Sequence, residues 1–479
     1  MYLKLNIMAA CLFVALSLAA PTQAKDTDCK AVSRQEVTTE LEAMVNDDPA
    51  LRASLAQSIE LGQRVNSDPR TNPVANLEDY YDFVDALVTY NPQNIDTKVH
   101  NGKIRISMDG DKYCNWNILD ILSYSYFLVD RQISTDPRGQ IQFQNEKFGA
   151  WMRTLAQAWG HYLETPASAI HVPAFEADDN FGAWDCPTQP YETFQSYFTR
   201  ELCREKDKYP TGSRPVQGFV DDNTVVSIGD STSAGWWPIS TTGKLVTTYD
   251  GLSQSGQLIK GKLYSDVNEF IHGAEDEAVL AEFGTLDRNL FNGGTWTHQF
   301  LNVNNYHRLH VPVAGEIVYL KHLQSGVRMK SGWKARQSPD DVAYYDPRDT
   351  ADWQFGQTRM VIGIQTEKHG VVVISPMGMA QVSGIEKRDW VKEGAQAEKG
   401  WEFANFKFGG SDFVVIFEEK ADFVLTVPHA SEPTPHVGVN YESSRQGEKY
   451  GCFGGVTNCS DTPATPPASP PDKTPGSGA

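Results

Sequence analysis

Two short runs hold the side chains best suited to covalent chemistry: Phe408-Gly409-Gly410-Ser411 and, upstream, Tyr306-His307-Arg308-Leu309-His310. A glycine before a serine leaves its carbonyl sterically open and its backbone tolerant of strain. The Ser411 hydroxyl could attack the Gly410 carbonyl and move the acyl group from nitrogen to oxygen. β-Elimination would then release the upstream chain and leave dehydroalanine, which hydrolyses to a pyruvoyl group. Such an attack needs a base, and an imidazole oriented by a carboxylate is the usual one. The chain has 38 glycines, so a Gly-Ser pair by itself more often marks a turn.

His307 and His310 stand three apart. On an extended segment they point to opposite faces, whereas a turn could bring them together. One could orient a substrate carboxylate while the other moves protons near neutral pH. The plainer readings are a core histidine with a backbone partner, or half of a metal site. Metal is the weaker alternative, because no third and fourth ligand stands at a telling spacing. Val225-Val226-Ser227-Ile228-Gly229-Asp230 reads as a short strand ending in an aspartate that could hold an imidazole tautomer. Its plain role is a strand-end turn, and Asp221 and Asp222 compete with it.

These side chains need a β framework, and the sequence offers one after about residue 215. Short β-rich runs, Thr224 to Ile228, Gly315 to Leu320, Met360 to Ile364, Val371 to Ile374 and Phe413 to Glu418, alternate with Gly, Pro, Asn and Asp turns. That predicts an antiparallel domain with few helices. Ser331 to Trp353 reads as a long polar and aromatic loop. Before it, residues 33–163 read as helical. Ser33 and Glu36 suggest a capping box, Asp48-Pro49 starts a second helix, and Asn76 caps a third. Phe148, Trp151, Met152, Leu155, Trp159 and Tyr162 recur at helical spacing and are read as core. The predicted class is α+β, with a helical domain over 25–185, a β-rich domain over 186–459 and a disordered tail over 460–479 rich in Pro, Ser, Thr and Gly.

The 479 residues are 40% hydrophobic and 22% charged, enough to bury a large core. A formal net charge of −19 repels phosphates on average, which excludes nucleic acid as an expected partner and disfavours simple adhesion to an anionic bilayer. At the N-terminus, Lys4 precedes an apolar run from Ile7 to Ala20, and Thr22-Gln23-Ala24 offers a small-residue cleavage site. The expectation is a signal peptide over 1–24 and export, periplasmic or extracellular. The run is short for a membrane-spanning helix, and an uncleaved anchor is the alternative. Cys11 leaves with that segment. Cys29, Cys114, Cys186, Cys203, Cys452 and Cys459 remain, an even set that an oxidising compartment could pair. Cys452–Cys459 is the expected disulfide; the other pairings stay open.

Five ordered segments between Tyr191 and Val427 resemble the phosphatidylserine decarboxylase family. Tyr191-Glu-Thr-Phe-Gln-Ser-Tyr-Phe-Thr-Arg200 with Arg214-Pro215 looks like its opening motif, and Lys260-Gly-Lys-Leu-Tyr-Ser265 like its Lys-Gly-x-x-Tyr-Ser segment. Phe300 to Gly315, containing Tyr306-His307-Arg308-Leu309-His310-Val311-Pro312, is similar to its most specific signature. Lys399-Gly400, Phe406 and Phe408-Gly409-Gly410-Ser411 match the approach to its self-cleavage site. The resemblance implies that Ser411 becomes a covalent pyruvoyl cofactor after scission at Gly410. It also implies that His310 is the base for cleavage and later a proton-transfer residue, that His307 helps hold the substrate carboxylate, and that Asp230 orients His310. Two departures stand out: the family's Ser-Pro-Ala-Asp-Gly is Ser227-Ile228-Gly229-Asp230-Ser231, and its Gly-Ser-Thr is Gly410-Ser411-Asp412.

Phe148-Gly-Ala-Trp-Met-Arg-Thr-Leu-Ala-Gln-Ala-Trp159-Gly160 is similar to the extra domain of a subgroup that includes fungal tryptophan decarboxylases. The implied substrate is therefore phosphatidylserine, to give phosphatidylethanolamine, or alternatively a free L-amino acid such as tryptophan. A lipid substrate implies peripheral membrane contact, to which Trp236 and Trp237 could contribute if they are not core. The implied assembly is the pair of cleaved chains, 25–410 and 411–479, with homo-oligomers left open and no metal required. A non-catalytic exported binding module on the same scaffold is the competing class.

Overall fold

Helix-forming segments and their caps organise the first third of the chain. In the computed structural model the described residues are 33–69, 71–93, 116–135, 139–176, 191–202, 213–249, 252–255, 257–259, 262–264, 266–273, 286–287, 289–323, 327, 331–335, 344–347, 357–379, 384–427 and 443–470. The signal-like run, Cys11, Cys29, Cys114, Cys186, Cys203, Lys260, Gly261 and Ser265 lie outside them. The fold is α+β: helices first, then a mostly antiparallel β region.

Five main helices build the N-terminal part: α1 (Glu36–Asp47), α2 (Pro49–Val65), α3 (Leu77–Val88), α4 (Ile118–Val129) and α5 (Glu146–Leu163). Asp48 caps α2 by accepting from the Ala50 and Leu51 amides, and Asn76 caps α3 by accepting from Asp79 N. The capping box expected at Ser33 does not form. Gln35 is the N-cap of α1 and makes no side-chain cap bond. Asp85 of α3 supplies the acceptor instead, taking Gln35 N at 2.8 Å and Thr38 Oγ1 at 2.5 Å. A carboxylate from a neighbouring helix thus satisfies the exposed amides and opposes the helix dipole. The aromatic stripe of α5 is core, as expected: Phe148, Trp151, Met152, Leu155 and Trp159 are buried, and Tyr162 is partly so.

The Ser331–Trp353 stretch is not simply a loop. Ser331–Lys334 and Tyr344–Pro347 pair as an antiparallel hairpin, while 336–343 and 348–353 lie outside the described residues. Tyr345 packs among Trp116, Tyr124 and Phe127 and donates its hydroxyl to Thr71 O at 2.6 Å. An aromatic side chain that can bury its ring and still satisfy its hydroxyl outweighs the polar residues around it.

The site rests on ten strands: β1 (Ser231–Pro238), β2 (Thr295–Leu301), β3 (Arg308–His310), β4 (Gly315–Leu323), β5 (Arg359–Gln365), β6 (Val371–Met379), β7 (Gln396–Ala397), β8 (Glu402–Phe406), β9 (Gly410–Phe417) and β10 (Ser443–Ser444). Eight of them form one sheet in the order β7-β4-β5-β6-β9-β2-β1-β10. Its pairs are antiparallel throughout. β3 and β8 pair in a separate small sheet with Ile385–Lys387. The two faces of β9 serve different cores. Phe413, Val415 and Phe417 join the core shared with the helices, whereas Val414 and Ile416 join a second one with Trp237, Phe270 and Trp296.

Residues 460–470 depart from the expected disordered tail. Pro463–Ala464 pairs antiparallel with Val216–Gln217, and Pro466 is buried. The segment has no apolar period, but at an edge none is needed. Proline cannot donate there, and the carbonyls still accept. Residues 471–479 lie outside the described residues. Just before the segment, Cys452 and Cys459 form the expected disulfide.

Candidate active site

Ser411 is the second residue of β9, opposite Leu301 of β2 and Gly378 of β6. It is fully buried, and it faces the helix-side core by alternation with Phe413. Gly409, two residues before it, has φ +149°, a conformation that favours glycine. The Ser411 hydroxyl lies 3.5 Å from the Gly409 carbonyl, at the limit of a hydrogen bond, so it is weakly held.

The two histidines occupy different settings. His307 stacks on Phe198 at 3.6 Å between ring centroids, and Phe198 in turn meets Phe408 at 5.2 Å. The His307 carbonyl accepts from Phe406 N at 3.1 Å, which ties it to the segment leading into Ser411. Both ring nitrogens are buried without a hydrogen-bond partner. Burial, helped by the Arg200 charge, holds this imidazole well below its ordinary pKa; the Asn305 carbonyl, outside hydrogen-bond geometry, opposes them. A neutral ring with two unmade bonds in an aromatic wall is costly to keep.

His310 is fully engaged. Its Nδ1 is 2.7 Å from the Gly400 carbonyl and its Nε2 is 3.0 Å from the Tyr306 hydroxyl. A carbonyl can only accept, so Nδ1 carries the proton and the Nε2 lone pair accepts from Tyr306. Burial lowers the pKa from 6.5 to about 4, against the pull of Glu402 and the Gly400 carbonyl. His310 is therefore a neutral ring of fixed tautomer, the form a base requires. Its amide also donates to Ile228 O at 2.8 Å, which brings the strand leading to Asp230 alongside.

Asp230 does not touch His310. It forms a two-pronged ion pair with Arg214 and accepts from Gln446 N at 2.9 Å. Burial raises its pKa, but the Arg214 charge and hydrogen bonds, the Gln446 amide and the Arg200 charge together outweigh this and leave it below the usual carboxylate range. The Arg214 guanidinium lies 5.5 Å from the centre of the Tyr306 ring, so the carboxylate reaches His310 only through Arg214 and Tyr306. A guanidinium offers two parallel donors where an imidazole offers one, and it wins the carboxylate. The competitors are elsewhere: Asp221 accepts from Ser460 N and Asn223 N, and Asp222 pairs with Lys368. Asp412, beside Ser411, points to the opposite face and meets His298 Nε2 at 2.5 Å. Burial raises its pKa against the pull of His298.

Four contributors were not singled out from the sequence. Tyr306 and Arg214 stood in quoted motifs without a role. Gly400 has φ +83° and is squeezed so that a Cβ would fall 2.6 Å from Val216 Cγ2, which explains why only glycine presents its carbonyl to His310. Glu402 pairs with Arg308 at 2.7 Å and with Arg388, and against burial these partners hold its carboxyl below the usual range. From the helical part, Trp159 of α5 meets Phe408 at 5.0 Å, three residues before Ser411. Trp237 is buried and Trp236 is 38% exposed, so the expected apolar pair divides. Among the described residues no helix is long and apolar enough to cross a membrane.

The profile of the phosphatidylserine decarboxylase family matches residues 194–451, just over half of the chain. A phosphatidylserine decarboxylase proenzyme 2 of Komagataella phaffii is 26% identical over 281 residues, covering 58% of this chain and 23% of its own length. This chain therefore spans about a quarter of that relative. A phosphatidylserine decarboxylase proenzyme of Fusobacterium nucleatum is 25% identical over 268 residues, covering 55% of this chain and 73% of its own. An L-tryptophan decarboxylase of Psilocybe cubensis is 22% identical over 378 residues, covering 72% of this chain and 77% of its own. That share exceeds the family region, so the likeness takes in part of the chain outside 194–451.

Proposed function

The chain belongs to the phosphatidylserine decarboxylase family, and from that premise we propose that it is a proenzyme that cuts itself at Gly410–Ser411 and matures into a pyruvoyl-dependent decarboxylase. The observation that carries the reading is His310, a buried neutral base of fixed tautomer on the strand that pairs with the approach to Ser411. A pyruvoyl group at 411 would supply an electrophilic carbonyl that takes a substrate amine and draws in the electrons left by a departing carboxylate. The position fits such a group: residue 411 is buried, preceded by two glycines and walled by Phe408 and its aromatic neighbours.

In scission, the Ser411 oxygen bonds to the Gly410 carbonyl carbon as the amide C–N bond breaks, and the hydroxyl proton passes through a base to the freed nitrogen. Loss of the Ser411 Cα proton with cleavage of its Cβ–O bond then releases the Gly410 carboxylate, and the dehydroalanine left behind takes up water and loses ammonia to become pyruvoyl. Both His310 nitrogens are engaged, so Tyr306 is the natural relay: its hydroxyl can give a proton to Nε2 while taking one from the reacting centre. Arg214, paired with Asp230, faces the Tyr306 ring, and burial holds the Tyr306 hydroxyl well above its ordinary pKa, so it passes a proton on and does not rest ionised. His307 keeps two free nitrogens against Phe198 and is the candidate holder of the substrate carboxylate.

Phosphatidylserine, giving phosphatidylethanolamine, is the first substrate reading, with Trp236 as the exposed aromatic that could touch a bilayer. A free L-amino acid such as tryptophan is the second. The reach of α5 to Phe408 and the extended likeness to an L-tryptophan decarboxylase favour it. Export is part of the proposal, supported by the N-terminal apolar run and by the Cys452–Cys459 disulfide. Carbon dioxide release from phosphatidylserine vesicles and from a panel of L-amino acids tests the substrate. Release from the lipid supports the first reading, and release from tryptophan alone reverses the order. An uncut chain inert on both supports a binding module.

A further inference from the structure

The segment after the disulfide runs along a stretch of chain that helps hold His310 in place. Gly218 N donates to Thr462 O at 2.9 Å, and Pro463–Ala464 pairs with Val216–Gln217. Pro466 then closes over Gly400: a Cβ on that glycine would lie 3.0 Å from Pro466 Cγ. Trp401 Nε1 donates to Pro467 O at 3.0 Å, and Glu402 N donates to Ser469 Oγ at 3.0 Å. Three consecutive residues, Gly400, Trp401 and Glu402, are thus gripped from outside by 466–469. On their inner side, Gly400 O holds His310 Nδ1, and Glu402 holds Arg308.

We infer that residues 462–469 are a strap that positions His310 by clamping Gly400–Glu402. The inference rests on the proposed role of His310 and adds a consequence of scission. The strap belongs to the 411–479 side of the cut, whereas Gly400 and His310 belong to the other side. The smaller chain would then carry both the reactive residue and the clamp that aims the proton-transfer residue of the larger one. The disulfide anchors the start of the strap, since Cys452 is paired with Thr224 and Val424 in a small sheet and Cys459 lies one residue before Ser460.

The test uses the full chain, a chain ending at Asp461, and the variants Ser469→Ala and Ser469→Thr. With the substrate that the wild type decarboxylates, phosphatidylserine vesicles or L-tryptophan, the shortened chain should lose kcat by roughly ten- to a hundredfold with KM little changed. Ser469→Ala should lose about two- to tenfold in kcat, and Ser469→Thr should restore it. The acid limb of kcat/KM should also move up towards the ordinary imidazole range as the strap goes, because His310 gains solvent. The charged and titratable groups facing that ring are Glu402, Arg308, Arg214 and Tyr306, and the strap contributes none. Should the shortened chain fail to fold, the two Ser469 variants decide. Wild-type kcat and an unmoved acid limb in Ser469→Ala would overturn the strap while leaving the decarboxylase reading intact. A wild type that never cuts itself would overturn that reading, and the strap's role with it.

Discussion

The helical part and the wall around Ser411 are both built of aromatic residues, yet their aromatic and imidazole nitrogens and hydroxyls are held differently. In the helical part, four buried aromatic handles are answered: Trp151 Nε1 by Val37 O, Trp159 Nε1 by Tyr90 O, Tyr124 OH by Asn72, and Tyr126 OH by Val327 O. In the wall, His307 leaves both nitrogens unanswered, and Ser411 barely engages its hydroxyl. Satisfied groups give stability, and an unsatisfied buried ring beside a reactive serine is a candidate for binding or reaction. The helical region is accordingly a scaffold that delivers Trp159 to the back of Phe408, and the wall is where chemistry belongs.

Substitutions can break or sharpen this contrast. The largest expected effect is Ser411→Ala, which should abolish scission outright and leave one band on a denaturing gel. Next is His310→Gln, which should slow scission and turnover by about 10²- to 10⁴-fold, read by a time course of chain cutting. Tyr306→Phe keeps the ring and removes the relay. It should cost about ten- to a hundredfold in kcat, whereas full retention would show that His310 acts without it. On the scaffold side, Trp151→Ala should lose about 3–5 kcal/mol of stability in denaturant unfolding. The rate of cutting per folded molecule should hardly change.

The smallest effect concerns pH. The folded-state pKa of His310 is depressed from 6.5 to about 4, so between those values the unfolded chain binds a proton that the folded chain refuses. Stability should therefore fall as pH drops below about 6.5, with the His310 contribution fully lost below about 4. His307 acts in the same direction. Unfolding midpoints of wild type and His310→Gln, compared at neutral and mildly acid pH, should converge as acid is added.

Much of this was legible in the sequence, for local reasons. Asp48 and Asn76 cap the helices they precede, and Cys452 and Cys459 lie close enough in the chain to pair. The strand runs at Gly315, Met360, Val371 and Phe413 were found, because period and turn residues are written locally. What failed was choice among distant partners. Ser33 lost the cap of α1 to Asp85, and Asp230 was assigned to an imidazole although Arg214 takes it. Arg214 lies sixteen positions from Asp230, and nothing in either local sequence tells which donor will face the carboxylate. The segment 460–470 reads as unstructured because its order comes from edge pairing and from bonds to distant partners at Trp401 and Glu402, which composition does not record.

The central claim is that Ser411 becomes a chain end. Intact-mass analysis of the purified protein under denaturing conditions tests it most directly. The account predicts two polypeptides, the smaller spanning 411–479 and beginning with a pyruvoyl group in place of a free amine. A single active polypeptide with an unbroken Gly410–Ser411 amide would contradict it.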